Sequence, residues 1–301
     1  MVAKINSTGP ITINSTTIAT MGWSFSPDIV RAAQIHSGLP YPTAEVVAGS
    51  NPRVTFRCFF QDIYALTGLT ILSATTFSVY MSVYASLIRD ASSNHLRLAL
   101  SSSCTAAIQI TGVGTDQDGV LIADLEAVLL ANTSTAHPFT ITTNNAMPAL
   151  TAEPIKHTLG PLVVDASGIP AVQSASLSLS PNLQVSRSDG DLYPRVAAQT
   201  TGSPVLTIGH KDPKALLATL GLDGLASTSV VQYFRRFDAT SGVAGASNGV
   251  SLTIASARLN PTTIQTEPGA IASQGIEITC MSSSTTHPVV VSLTATVPAA
   301  G

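Results

Sequence analysis

Two stretches of this chain read almost alike, Ser134-Thr135-Ala136-His137-Pro138-Phe139-Thr140-Ile141 and Ser284-Thr285-Thr286-His287-Pro288-Val289-Val290-Val291. Their His-Pro pairs lie 150 residues apart in a chain of 301, and Pro148 and Pro298 keep the same spacing. A period of half the chain length indicates an internal repeat, and such a repeat decides the fold before any single strand does.

Further landmarks recur in the same order in both halves. They are Ser-x-Ser-Pro motifs, Tyr-Pro pairs, turns before a strand, and aspartates before a helical pattern. At spacings of 150 to 154 residues, the matched positions are Pro27 with Pro181, Tyr41-Pro42 with Tyr193-Pro194, Pro52 with Pro204, and Asp62 with Asp212. Coincidence does not explain this shared order, so we predict an internal duplication.

One landmark departs from that spacing. The turn-like stretch Ser247-Asn248-Gly249-Val250 matches Gln117-Asp118-Gly119-Val120 at a spacing of only 130 residues. This alignment predicts about 20 extra residues before the turn in the first half and after it in the second. Prolines between residues 147 and 158 are typical of a linker. We therefore predict two tandem domains, residues 1–150 and residues 151–301.

The local patterns are those of a mainly β protein. Apolar residues alternate with polar ones over residues 53–58 and 77–83, which predicts half-buried strands, and residues 120–130 fit a strand or a helix. We expect further strands on either side of a turn at Asn14-Ser15, and at the start of the second half around residues 162–164. Residues 29–48 and 184–200 have the Gly, Pro and polar content of long loops.

Each half also carries one short helical pattern. In the first half Asp62 is the predicted N-cap and Gly68 the predicted stop. In the second half Asp212 is the predicted N-cap, Pro213 takes the first helical position, and Gly221 ends the helix.

Composition limits the possible functions. Charged residues are only 10% of the chain and the net charge is −3, which argues against a basic surface for tight nucleic-acid binding. So little charge gives little protection against association, and we interpret much of the surface as covered by copies of the same chain. The three cysteines, Cys58, Cys104 and Cys280, have no metal-type spacing and are predicted to be small buried hydrophobes of a reduced protein. We expect no signal peptide and no membrane span.

We find no motif that predicts chemistry. Gly112-Val113-Gly114 lacks the remaining glycine of a dinucleotide site, and Asp116 and Asp118 lack the closing carboxylate of a calcium loop. His137 and His287 each stand alone in a Ser/Thr-rich stretch, so we interpret them as structural. We therefore predict no enzyme activity, no catalytic residue, no cofactor and no metal site.

The order of these features resembles the tail tube proteins of long-tailed (siphovirus-type) bacteriophages. Residues 25–55 and 179–207 carry the resemblance, together with the helical patterns at Asp62 and Asp212. The resemblance implies two tandem β-sandwich or half-barrel domains, each with one short α-helix and a long loop. The chain is similar to the variant of this family in which the tube protein is duplicated in tandem.

The resemblance also implies a function. Such a chain is a structural virion protein whose rings, here of three chains with pseudo-sixfold symmetry, stack into a tube through which phage DNA is ejected. The long loops are expected to reach an adjacent ring, and a mildly acidic channel lets DNA pass without binding, since basic side chains bind phosphate. The implied partners are copies of the chain and the tape measure, tail terminator and distal tail proteins. The resemblance implies that the protein is located in the phage tail of the virion, which is assembled in the host cytoplasm.

Two other readings stay open. The chain fits a distal tail or baseplate ring component, or a capsid decoration protein, and such proteins stop at a single ring where tube proteins polymerise. It also fits, less well, an enzyme or carbohydrate-binding module built on a β-sandwich. That reading requires a cluster of carboxylates or aromatic side chains, which the sequence does not indicate.

Overall fold

The computed structural model describes residues 5–34, 44–84, 94–115, 119–134, 136–169, 171–179, 183–188, 190–199, 202–213, 225–237, 244–265, 273–282 and 287–298. Within them the chain is mainly β and every strand pairing between named strands is antiparallel. The prediction of a mainly β protein is confirmed.

Among its described residues, the first half has twelve strands and one helix. In chain order they are β1 (Ile5–Ile13), β2 (Thr16–Ile18), β3 (Thr20–Ser26), β4 (Ile29–Gln34), β5 (Ala44–Ser50), β6 (Arg53–Phe59), α1 (Phe60–Thr67), β7 (Leu72–Ala74), β8 (Phe77–Tyr84), β9 (His95–Leu100), β10 (Thr105–Thr115), β11 (Leu121–Leu130) and β12 (Phe139–Asn145). Residues 120–130, which fit either a strand or a helix by pattern, are thus mostly the strand β11.

The second half holds ten strands among the described residues. They are β13 (His157–Val164), β14 (Ser167–Ile169), β15 (Val172–Ser178), β16 (Leu183–Ser186), β17 (Val196–Gln199), β18 (Val205–His210), β19 (Leu225–Phe237), β20 (Ala244–Gln265), β21 (Ser273–Met281) and β22 (Val289–Ala295). The predicted helix after Asp212 falls largely outside the described residues.

Strand pairs of the first half recur in the second half with matching registers. Ser26 lies opposite Arg53 and Ser178 lies opposite Val205, so both numbers differ by 152. Both β1–β2 and β13–β14 turn through two residues with positive φ, Asn14-Ser15 and Asp165-Ala166. We call two residues counterparts when matching strand pairs place them at this offset of 150 to 154 residues.

The two largest sheets pack face to face around the main hydrophobic core. A five-stranded sheet has the order β12-β9-β8-β1-β2, and the larger sheet has the order β14-β13-β19-β20-β21-β18-β15-β10-β11-β6-β3. Phe56 of β6 and Phe77 of β8 meet across the core with ring centroids 6.1 Å apart. Burial of apolar side chains from both halves in this core stabilises the chain, at about 25 cal/mol per Å² of apolar surface.

The structure corrects the alignment of the Asn248-Gly249 stretch. This stretch lies inside the long strand β20, and strand pairing makes β9 and β10 the counterparts of its two ends. The offset between counterparts is 154 residues for β9 and 151 for β10. The difference arises because a turn at residues 101–104 separates β9 from β10, whereas β20 continues without one. The predicted insertion of about 20 residues in each half is therefore wrong.

Three local predictions also change. Helix α1 begins at Phe60, so Asp62 lies in its first turn and is not the N-cap, whereas Gly68 ends the helix with φ 59° as predicted. Burial raises the pKa of the Asp62 carboxyl. The predicted loops at residues 29–48 and 184–200 contain the hairpins β4–β5 and β16–β17.

Candidate functional site: a sheet junction, two open edges and a polar face

The two halves join through a strand pair that lies within one sheet. Gly112, Val113 and Gly114 of β10 lie opposite Ser178, Leu177 and Ser176 of β15. The backbone N–H of Leu179 donates to Thr111 O at 3.1 Å and extends the contact. Because the strands β3, β6, β11 and β10 of one half meet β15, β18, β21 and the end of β20 from the other, eight strands form a continuous surface.

The junction buries two apolar side chains. Val113 is 3% exposed and Leu177 is 1% exposed, and both belong to the main core. Gly114, beside Val113, lets the strands approach closely, since a Cβ there would lie 3.2 Å from Ala175 O. Full burial of such a side chain contributes about 1.5–3 kcal/mol.

The counterparts of the junction strands lie at the two ends of the eight-stranded surface. The counterpart of Leu177 is Phe25 on β3, and the counterpart of Val113 is Ile264 on β20. Among the described residues β3 pairs only with β6, and Ile264 pairs only with Gln274 of β21. Ile264 is 44% exposed. Within the described part of the chain, both edges thus have backbone groups without a strand partner, and such groups favour pairing with another chain.

The face of this surface that points away from the core is polar and carries balanced charge. The eight strands supply three arginines and three carboxylates to it among the described residues: Arg53, Arg57 and Arg258, with Asp124, Glu126 and Glu277. Arg57 donates to both carboxylate oxygens of Asp124 at 2.7 and 3.3 Å, and Arg53 pairs with Glu126. Shallow grooves of about 660 and 530 Å³ run over it beside Arg57.

The hairpin β16–β17 packs on the first half. Its Leu183 and the β11 residues Val128 and Leu130 form a second buried apolar cluster. Backbone bonds reach from Ser50 N–H to Leu192 O and from Ala131 N–H to Pro194 O, each 2.8 Å long. This hairpin therefore crosses the junction and clamps the two halves together.

His137 is part of this clamp. Its Nδ1 lies 2.7 Å from the hydroxyl of Tyr193, in the segment between β16 and β17, and burial raises the pKa of that hydroxyl. The matching histidine, His287, bonds instead to the backbone of Val289. The duplicated histidines thus occupy different environments, and only His137 meets the neighbouring half among the described residues.

The other candidate residues lie in the core or outside the described part. Cys58, Cys104 and Cys280 are buried free thiols, as predicted. Burial raises the pKa of Cys58 and raises that of Cys280 to about 12, so neither thiol is activated. Asp116 and Asp118 fall outside the described residues. In the part of the chain that the structure describes, no three metal-binding side chains come together, and no helix is long and apolar enough to cross a membrane.

Sequence reasoning missed Val113, Leu177, Phe25 and Ile264. The sequence did contain a signal, because Val113 and Ile264, and likewise Phe25 and Leu177, are apolar residues separated by the common offset. The misplaced turn alignment hid the pair Val113 and Ile264, which correspond only when β10 is matched with the end of β20. Matching Pro27 with Pro181 hid the other pair, because it aligns Phe25 with Leu179, whereas the strand registers make Leu177 its counterpart.

No known protein-family model matches this chain, and no curated protein matches its sequence.

Proposed function

We propose that this chain is a structural protein that assembles into closed rings by pairing the open edge of β3 with the open end of β20 in the next copy. The junction of β10 with β15 carries the proposal, because it is the same contact made inside one chain. The matching register places Ile264 opposite Phe25 of the neighbour. Closing a ring pairs both edges and covers the exposed Ile264 side chain.

In this proposal each chain supplies two ring units, residues 1–150 and residues 151–301. Together with the resemblance to phage tail tube proteins, this gives a ring of three chains with a sixfold-like outline. The rings stack into a tail tube in the virion, formed in the host cytoplasm, that meets the tape measure, tail terminator and distal tail proteins. Each ring then has a continuous sheet of eight strands from every chain.

The polar face of the eight strands is the surface proposed to line the channel. Its three arginines balance its three carboxylates, and Arg53 and Arg57 are paired with carboxylates. This lining is neutral where the sequence led us to expect a mildly acidic one. Paired arginines release few counterions on meeting phosphate, so DNA is expected to pass without tight binding.

The test is the assembly state of the purified protein, seen by negative-stain electron microscopy. We expect threefold rings that stack into tubes. The variant Ile264→Asp is expected to stay monomeric with an unchanged circular dichroism spectrum, because it places a charge in the new interface. Val290→Asp, a similar change at an exposed site on β22, is the control and should still form rings.

Three outcomes count against the proposal. A wild-type chain that stays monomeric at every concentration refutes ring formation, and rings formed by Ile264→Asp refute the edge pairing. Sixfold rings built from six chains refute two units per chain. Single rings that never stack favour the alternative of a distal tail, baseplate or decoration component over a tube.

A further inference from the structure

The end of β11 is covered by a hairpin, and its counterpart on β21 has no such cover among the described residues. Leu130 of β11 is 8% exposed, because the hairpin β16–β17 lies over it. Its counterpart on β21 is Met281, since Leu130 lies opposite Thr105 and Met281 lies opposite Ser256. Met281 is 37% exposed. A partly exposed apolar side chain therefore stands where the first half has a buried one.

The counterpart hairpin exposes apolar side chains among its described residues. Its strands β4 and β5 expose the apolar side chains Ile29, Val30 and Val47. The two hairpins emerge from the same place in their units, β4–β5 between β3 and β6, and β16–β17 between β15 and β18. One hairpin is docked on a neighbouring unit, whereas the described part of the other presents apolar side chains, and the described residues around Met281 leave that side chain partly exposed.

We infer that the β4–β5 hairpin of one copy docks over Met281 on the second half of the neighbouring copy. This inference rests on the proposed ring, because the copy that adds its β3 to β20 brings its own hairpin to that position. The internal contact sets the geometry, since β15 adds to β10 and the hairpin after β15 then covers Leu130. The occupant is thus a second copy of this chain within the same ring. Contact with a stacked ring, which the resemblance implies for the long loops, becomes the rival outcome.

Cysteine labelling tests this placement directly. We would make Met281→Cys and measure its reaction with a maleimide in assembled rings and in the monomeric Met281→Cys, Ile264→Asp double variant. The native thiols give little background, because Cys58, Cys104 and Cys280 are between 0 and 4% exposed. In rings we expect labelling to be at least about tenfold slower than in monomers, since the hairpin must lift before the reagent enters.

A change in the hairpin identifies what covers the new cysteine. Val47→Asp should restore most of the labelling in rings, because a charge on the hairpin opposes burial against an apolar site. The matched control is Val196→Asp, which makes the same change at an exposed position of β17 and should leave the cysteine protected.

The outcomes separate the two proposals. If no rings form, both proposals fail together. If rings form and the cysteine reacts at the monomer rate, the ring proposal is kept and the hairpin inference is overturned. The hairpin then docks elsewhere, as in the rival contact with a stacked ring. If the cysteine is protected and Val47→Asp does not expose it, something other than this hairpin covers it, and the inference is likewise overturned.

Discussion

Val113 of β10 lies opposite Leu177 of β15, and this pair joins the sheets of the two halves into one surface. Both side chains are almost fully buried, whereas Ile264, the counterpart of Val113, is 44% exposed. The contrast separates residues that hold the chain together from residues left for an external contact. Stability and assembly should therefore respond to different substitutions.

The junction is the first place to measure that difference. Leu177→Ala should lower the free energy of unfolding by about 2–5 kcal/mol, because it leaves a cavity in the core at the junction. Ile264→Ala is the matched change at the open edge and should cost less than about 1 kcal/mol, since that side chain is already partly solvated. Urea unfolding measures both costs. Leu177→Ala is made and compared in the monomeric Ile264→Asp background, and Ile264→Ala is compared with the wild-type chain at high dilution. Equal costs would mean that the junction is not part of the core.

A Gly-Pro step in β13 provides a second prediction. Gly160-Pro161 lies at the register shift between β13 and β19, as its counterpart Gly9-Pro10 does between β1 and β8. A Cβ on Gly160 would lie 2.7 Å from Tyr233 O, a backbone atom that cannot move aside alone. Gly160→Ala should therefore lower stability by about 1–3 kcal/mol.

Gly22→Ala is the control for that substitution, because a Cβ there meets nothing within 4 Å. It should change the thermal midpoint little. Similar losses in both variants would indicate a general effect of removing glycine from a strand instead of the close approach to Tyr233.

Stability should fall on mild acidification because of His157. Burial lowers the pKa of this imidazole below 6.5, and the nearby charge of Arg236 lowers it further, while its bond to Asn248 O opposes the shift. Below pH 6.5 the unfolded chain therefore binds a proton that the folded chain does not, so stability falls toward the folded-state pKa. Urea midpoints at about pH 7.5 and about pH 5.5 should differ more in the wild type than in His157→Gln. An equal difference would assign the pH dependence to other groups.

The ion pairs of the polar face should differ in strength. Arg57 and Asp124 are 51% and 50% exposed, whereas Arg53 and Glu126 are 31% and 16% exposed. A double-mutant cycle should give about 0.2–1 kcal/mol for the exposed pair, because water screens its attraction. The Arg53–Glu126 pair should give the larger coupling, since it is less solvated. The reverse order would show that bidentate geometry outweighs exposure.

The sequence anticipated those strands that have a clear pattern of their own. Residues 53–58 alternate, and the structure has β6 there; Gly68 ends α1 because it accepts a positive φ. Asn248-Gly249 carried the pattern of a turn but lies inside β20, where Asn248 takes a positive φ within the strand. Local propensity indicates a backbone irregularity at such a site, and the pairing partners decide whether it becomes a turn.

The sequence by itself determined the mainly β character and the common spacing of the landmarks, since residue types and their order record both. Only the tertiary structure decided which strands correspond, because pairing registers depend on partners far along the chain. It alone also distinguished Val113 from Ile264 and Leu130 from Met281. Each pair is apolar in sequence, but one member is buried by a contact within the chain and the other still exposes apolar surface that a second chain can cover.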